Sequence, residues 1–191
     1  MSPAYLAAAL ITLASLAGHA DANEFEPALK ALAHDRLAAI AADPALVAAV
    51  KAQNAAGAPD QATIDQLDKD WRAQVGSGSA PLVDKVAANP GSKVLADARD
   101  ASEGLITEAF AMDQVGLNVA VSDPTSDYWQ GDEDKWRMTY KAGAGAIHIS
   151  DVELDESTQT YQAQVSLPVV DPDGGAPIGA VTFGINVELL N

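Results

Sequence analysis

The spacing of apolar residues changes at Gly104, and this change constrains the fold more than any other feature of the sequence. Before Gly104, apolar residues recur at intervals of three and four, which is the helical pattern. After it, apolar and polar residues alternate, which is typical of strands with one buried face. Helices followed by strands predict the α+β class.

The first half predicts four helical segments. Apolar residues at three- and four-residue spacing indicate a long helix over 26–51, which we expect to break at Pro44 because proline cannot continue a helix. A second helix is expected over 61–75 with Asp60 as its cap. Two shorter helices follow, and Ser92 is a candidate cap for the last. The predicted buried stripe of the long helix is Leu29, Leu32, Leu37 and Ile40.

The second half predicts an antiparallel sheet of about five strands. Two of them flank the turn at 113–116 and should form a hairpin. We expect one face of the sheet to pack against the long N-terminal helix, and the other to hold a pocket beneath the aromatic segment 123–141. The predicted strands are 105–112, 117–122, 147–149, 161–169 and 178–187.

The N-terminus is almost wholly apolar over residues 4–17. This run is shorter than the roughly 20 residues that a bilayer-spanning helix needs. Small residues at Ala20 and Ala22 follow it, so we expect a secretory signal peptide over 1–22. A buried helix or an uncleaved anchor is the alternative, because no Lys or Arg precedes the run.

The remaining residues, 23–191, are expected to form one domain with a helical part, 23–103, and a sheet part, 104–191. They contain no second apolar run of spanning length, so we expect no membrane insertion after cleavage. Export of such a domain predicts a periplasmic or secreted location.

Composition excludes several classes of function. The chain has 27 acidic and 11 basic residues and a net charge of -16, which repels nucleic acid phosphates. It has no cysteine, so disulfides and thiolate chemistry are excluded. With 48% hydrophobic residues it is too apolar for a disordered acidic chain.

Four segments in order carry a resemblance to a known family: EAFAMDQVGLNVAVS (108–122), YWQGDEDKWRMTY (128–140), ISDVELD (149–155) and SLPVVDPDGGAPIGAVTFG (166–184). Over residues 26–190 the chain resembles Cache domains, the extracellular relatives of PAS domains. The resemblance implies the short form, with a long helix, a central antiparallel sheet and one small-ligand pocket. Family members usually sit between two membrane spans of a chemoreceptor or sensor kinase, whereas we expect this sequence to be a stand-alone exported version.

The resemblance also implies ligand-binding residues. By position they are Tyr128, Trp129, Trp136, Arg137 and Tyr140, with Asp155 as an anchor for an ammonium group. Aromatic rings suit an organic cation or an apolar side chain, and arginine binds carboxylates. His148 alternates with two isoleucines and is a further candidate. Alternatively, the aromatic residues fill the sheet face and Arg137 pairs with a nearby carboxylate.

Metal binding and catalysis are not expected, and no cofactor is implied. A carboxylate cluster does not match an EF-hand and is explained by a solvated acidic loop; it comprises Asp127, Asp132, Glu133 and Asp134. His34 and His148 lie in different halves. Ser122 and Ser166 show no Ser-His-Asp pattern.

The sequence therefore predicts an exported sensor-type domain that binds an amino acid, amine or short carboxylate. It would relay occupancy to a partner, such as a membrane receptor or kinase, with the N-terminal helix as a candidate homodimer contact. The alternative is a non-catalytic structural or interaction module with a degenerate pocket.

Overall fold

A computed structural model describes residues 23–155 and 159–190. The predicted signal peptide, 1–22, lies outside these residues. Across the described ranges, no helix has the length and apolarity that crossing a membrane requires.

The N-terminal helical region contains a π-helical turn that the sequence did not predict. The turn, Ala33–Leu37, joins α1 (Glu26–Leu32) to α2 (Ala38–Ala41). A π turn is wider than an α turn, so residues four apart stay on one side. The fully buried stripe is accordingly Leu29, Ala33, Leu37 and Ala41, whereas the predicted Leu32 and Ile40 are only partly buried.

The predicted break at Pro44 is confirmed. Asp43 is the N-cap of α3 (Pro44–Ala55), and its carboxylate accepts a hydrogen bond of 2.8 Å from the backbone N–H of Ala45. Proline fits this first helical position because its missing N–H would have no partner there.

Three further helices follow: α4 (Gln61–Gln74), α5 (Pro81–Ala87) and α6 (Pro90–Asp100). Asp60 caps α4, as predicted. The proposed cap at Ser92 is wrong, because Asn89 caps α6 and Pro90 begins it. The buried hydroxyl of Ser92 instead joins α5 to the sheet, donating to the Val86 carbonyl and accepting from the Val121 N–H.

Among the described residues the sheet has six antiparallel strands: β1 (Ile106–Met112), β2 (Asn118–Val121), β3 (His148–Ile149), β4 (Glu153–Asp155), β5 (Thr160–Val170) and β6 (Pro177–Asn186). Their order is β2-β1-β6-β5-β3, and β4 also pairs with β5. Five strands were expected; the difference arises because the region after 147 forms two short strands along β5. The predicted α+β class is confirmed. A short helix, α7 (Asp134–Arg137), precedes β3.

The two faces of the sheet bury different cores. One face packs against α1, α2, α3 and α6 through apolar residues such as Leu37, Val165 and Phe183. The other packs against α4, α5 and the 123–141 segment around Phe110, Trp71 and Trp136. Part of this second face is polar, and the candidate site lies there.

Candidate ligand-binding site

Two rows of side chains cross the second face of the sheet. In the first row, strand pairing aligns Glu108 with Gly184 and Gly184 with Gln164. A β-carbon built on Gly184 would lie 2.8 Å from Cγ of Glu108, so the glycine makes room for the glutamate. The second row is Phe110, Thr182 and Ser166, and the buried hydroxyls of the last two hydrogen-bond at 2.9 Å.

Backbone hydrogen bonds hold the 123–137 segment over these rows. The N–H groups of Tyr128 and Trp129 donate to one carboxylate oxygen of Asp68 on α4, at 2.8 and 3.1 Å. The N–H of Gln130 donates to the carbonyl of Gly116 in the β1–β2 turn, at 2.8 Å. A helix and a turn therefore fix the height of the segment above the sheet.

The three tryptophans of the chain fix the same region. Each donates its indole N–H to a backbone carbonyl: Trp71 to Thr125 at 2.8 Å, Trp129 to Val115 at 2.8 Å and Trp136 to Asp113 at 3.0 Å. These bonds satisfy the polar end of each ring while its apolar body packs.

An inner pocket of about 200 Å³ lies between the rows and the segment. Lys135 enters it with a side chain that is only 14% exposed. Its Nζ lies 2.8 Å from a carboxylate oxygen of Glu133 and 3.3 Å from Oε1 of Gln130. The pocket is lined by Glu108, Phe110, Thr125, Ser126, Asp127, Gln130, Glu133, Lys135 and Gln164.

Glu108 is the most deeply placed carboxyl group of this pocket. Burial raises its pKa, because the charged form is poorly solvated there. The Gln164 amide, which donates to it at 3.4 Å, and the charge of Lys135 lower that pKa and partly offset the burial. The carboxyl group of Glu108 and the ammonium group of Lys135 therefore line the same small pocket.

An outer pocket of about 660 Å³ adjoins the inner one, and the two share Glu133, Lys135 and Gln164. Arg137 and His148 both line the outer pocket. Arg137 pairs with Asp134 at 2.9 Å and is half exposed, while burial lowers the pKa of the His148 imidazole. The remaining lining comprises Asp134, Ile149, Ser150, Asp151, Glu153 and Gln162.

The aromatic candidates pack in the second core rather than along the walls of these two pockets. Tyr128 stacks on Trp71 with ring centroids 5.1 Å apart, and burial, with a smaller effect of Asp113, raises the pKa of its hydroxyl to about 12. The ring centroids of Trp136 and Tyr140 are also 5.1 Å apart.

The two remaining candidates, Trp129 and Asp155, lie in different parts of the fold. Trp129 is partly buried beside this core. Asp155 ends β4, opposite Thr160. A ligand-binding role for the seven candidates stays a prediction.

Sequence reasoning missed the inner pocket's main polar residues, Glu108, Gln130, Lys135 and Gln164. One signal was available: Glu108 alternates with Phe110 and Met112 in a strand whose other residues are apolar or small. A carboxyl group on a buried strand face is rare and marks functional sites.

Within the described ranges, no group of three or more acidic or histidine side chains is arranged to hold a metal ion. The Ser122 hydroxyl hydrogen-bonds to Ala109 N–H and Asp123, and that of Ser166 to Thr182. These contacts do not form a serine-histidine pair.

Comparison with known proteins finds no matching family model and no match among curated proteins. Three similar solved structures are a V. cholerae histidine kinase DctB sensor domain (13% identity, TM-score 0.47), the ligand-binding domain of Campylobacter jejuni chemoreceptor Tlp3 with 4-methylisoleucine (14%, 0.41) and the E. coli DcuS sensor domain (13%, 0.44). They align with 86%, 87% and 86% of this chain, respectively.

This chain spans 55% of the DctB structure and 61% of the Tlp3 structure, but 96% of the DcuS structure. The three structures are described as sensor or ligand-binding domains.

Proposed function

We propose that this chain is an exported sensor-type domain that binds a small organic ligand between the sheet and the 123–137 segment. It relays occupancy to a partner protein and catalyses no reaction. The observation that carries the proposal is the presence of Glu108 and Lys135 in the walls of one small polar pocket of about 200 Å³.

The charges of the pocket select the ligand class. The Lys135 ammonium attracts a carboxylate, and the carboxylates of Glu108 and Asp127 attract an ammonium group. A ligand with both groups, such as an amino acid, satisfies both ends; an amine or a short carboxylate satisfies one. In the outer pocket, Arg137 offers a second carboxylate partner.

The 123–137 segment gives a physical route for relaying occupancy. It contacts the ligand pocket, and it is bonded to α4 through Asp68 and to the β1–β2 turn through Gln130. A ligand that displaces Lys135 or Gln130 shifts this segment and the elements attached to it. The recipient would be a membrane receptor or kinase, with homodimerisation through the N-terminal helix as a further part of the proposal.

A thermal-shift and calorimetric screen of amino acids, amines and short carboxylates tests the proposal. We expect at least one class to stabilise the protein, and Lys135→Met and Glu108→Gln to weaken that binding tenfold or more. Lys69→Met, an exposed change on α4, is the matched control and should bind normally. Stabilisation by no compound would contradict the proposal.

One observation favours the second candidate, a structural or interaction module with a degenerate pocket. The polar groups already have internal partners: Lys135 pairs with Glu133, and the Gln130 amide donates to Asp127 at 2.6 Å. This candidate predicts no ligand shift and a loss of stability in Lys135→Met. The same screen therefore separates the two candidates.

A further inference from the structure

A further concave surface lies at the end of the molecule where the described chain begins and ends. It is a groove of about 780 Å³ formed by residues 23–25, 151–152, Tyr161 and 187–188. It lies on the helix-covered side of the sheet, because Tyr161 alternates in phase with the core residues Ala163 and Val165. It shares no lining residue with the inner pocket, and only Asp151 also lines the outer pocket.

The groove has an exposed apolar floor. Tyr161 is 51% exposed, and its cross-strand partner Leu154 is 47% exposed. Paired residues in an antiparallel ladder point to the same side, so Leu154, which lies beside the groove and not in its lining, extends the apolar patch of Tyr161. Among the described residues, the helical layer begins with α1 at Glu26, and the two side chains of the patch remain exposed. Phe25 and Val152 border it and are partly buried.

The rim of the groove is acidic. Glu24, Asp151 and Glu188 line it and are exposed, and no Lys, Arg or His is among its described lining residues. An apolar centre within a ring of one charge is complementary to a segment that carries apolar anchors flanked by the opposite charge.

The charge decides between occupants. A second copy of this chain, docked by a twofold axis, would place the three carboxylates against the same three, between molecules of net charge -16. An anionic membrane surface is repelled in the same way. A basic segment gains both from charge attraction and from covering Tyr161 and Leu154.

We propose that this groove, the terminal groove, binds a segment of a partner protein in which apolar side chains alternate with lysine or arginine. The site does not depend on the ligand pocket, and its occupant is independent of the ligand's identity.

The test uses a ten-residue peptide of alternating leucine and lysine, with a leucine–glutamate peptide as its charge-reversed control. Amide NMR should show shifts from the lysine peptide at Phe25, Val152, Tyr161 and Val187, with no binding of the glutamate peptide. Tyr161→Ser should weaken binding about tenfold, since anchoring aromatic residues dominate such contacts. Met138→Ser, which changes an apolar residue that is 54% exposed elsewhere, should not.

A second pair of variants checks the rim. Glu24→Gln with Glu188→Gln should weaken binding and reduce its salt dependence, whereas Asp65→Asn on α4 should leave both unchanged. Shifts spread over the whole acidic surface, or equal affinity of Tyr161→Ser and wild type, would overturn the proposal. So would dimerisation through Tyr161, or binding to vesicles containing anionic lipid.

Discussion

The ammonium group of Lys135 lies over the ring of Phe110, with Nζ 5.3 Å from the ring centroid. Phe110 projects from β1, and Lys135 comes from α7, so this contact joins the sheet to the covering segment. A largely buried cation–π pair contributes about 0.5–2 kcal/mol. The same pair also directs the positive charge toward the inner pocket.

We predict energetic coupling between these two residues. In a double-mutant cycle of Lys135→Met and Phe110→Leu, the interaction term should be about 0.5–1 kcal/mol, measured by urea unfolding. Phe110→Leu alone also loses core packing, which the cycle cancels. Additive effects within error would show that the contact contributes nothing.

The raised pKa of Glu108 predicts a dependence of stability on pH. Because the folded protein holds this proton more tightly than the unfolded chain, its stability falls as pH rises from the ordinary value near 4.5 to the higher folded pKa. Glu108→Gln removes this loss, so the variant should lose less stability than wild type across that window. Denaturant unfolding at several pH values measures it, with the exposed Glu153→Gln as control. Parallel curves for wild type and Glu108→Gln would contradict the prediction.

Gly184 should not tolerate a side chain. A β-carbon there would lie 2.6 Å from Oγ1 of Thr107 and 2.8 Å from Cγ of Glu108, so Gly184→Ala must displace the glutamate. We expect a destabilisation of about 1–3 kcal/mol, as for other overpacked sites, together with weaker ligand binding. Gly174→Ala, in a turn with nothing within 4 Å of the new carbon, is the control and should be close to neutral. Equal stability of the two variants would show that the sheet accommodates a side chain at Gly184 without a measurable cost.

Local signals predicted much of the fold. The helix starts at Pro44 and after Asp60 depend on residues within the same few positions, so the sequence predicted them. The alternation along β5 predicted which of its residues are buried. The π turn was not, because its residues Ala33–Leu37 have no composition that distinguishes a π turn from an α turn.

The candidate site was less predictable, because sheet pairing assembles it from distant parts of the chain. Glu108 and Gln164 are 56 positions apart and meet only across β6, in a row set by the register of three strands. Periodicity places a residue on a face but does not give its neighbours. The segment 123–141 was identified correctly as the cover of the second face, while its pocket-lining residue Lys135 was not singled out.

Asp68 should control the mobility of the 123–137 segment that covers the second face of the sheet. Its carboxylate accepts from the N–H groups of both Tyr128 and Trp129, and its other oxygen pairs with Arg72 at 2.8 Å. Asp68→Ala leaves two backbone donors without their partner, and losing such bonds costs about 1–3 kcal/mol. Hydrogen exchange of the Tyr128 and Trp129 amides should accelerate, while that of the β5 and β6 amides should change only with global stability.

Asp65→Ala provides the matched control on the same helix, since Asp65 is exposed and bonds only to Gln61 among the described contacts. If the segment relays occupancy, ligand binding to Asp68→Ala should persist with reduced affinity, because the pocket wall must first be ordered. Unchanged exchange at both amides in Asp68→Ala would mean that the other contacts, such as the Gln130 bond to Gly116 and the tryptophan bonds, hold the segment without Asp68, and that α4 does not sense the pocket through it.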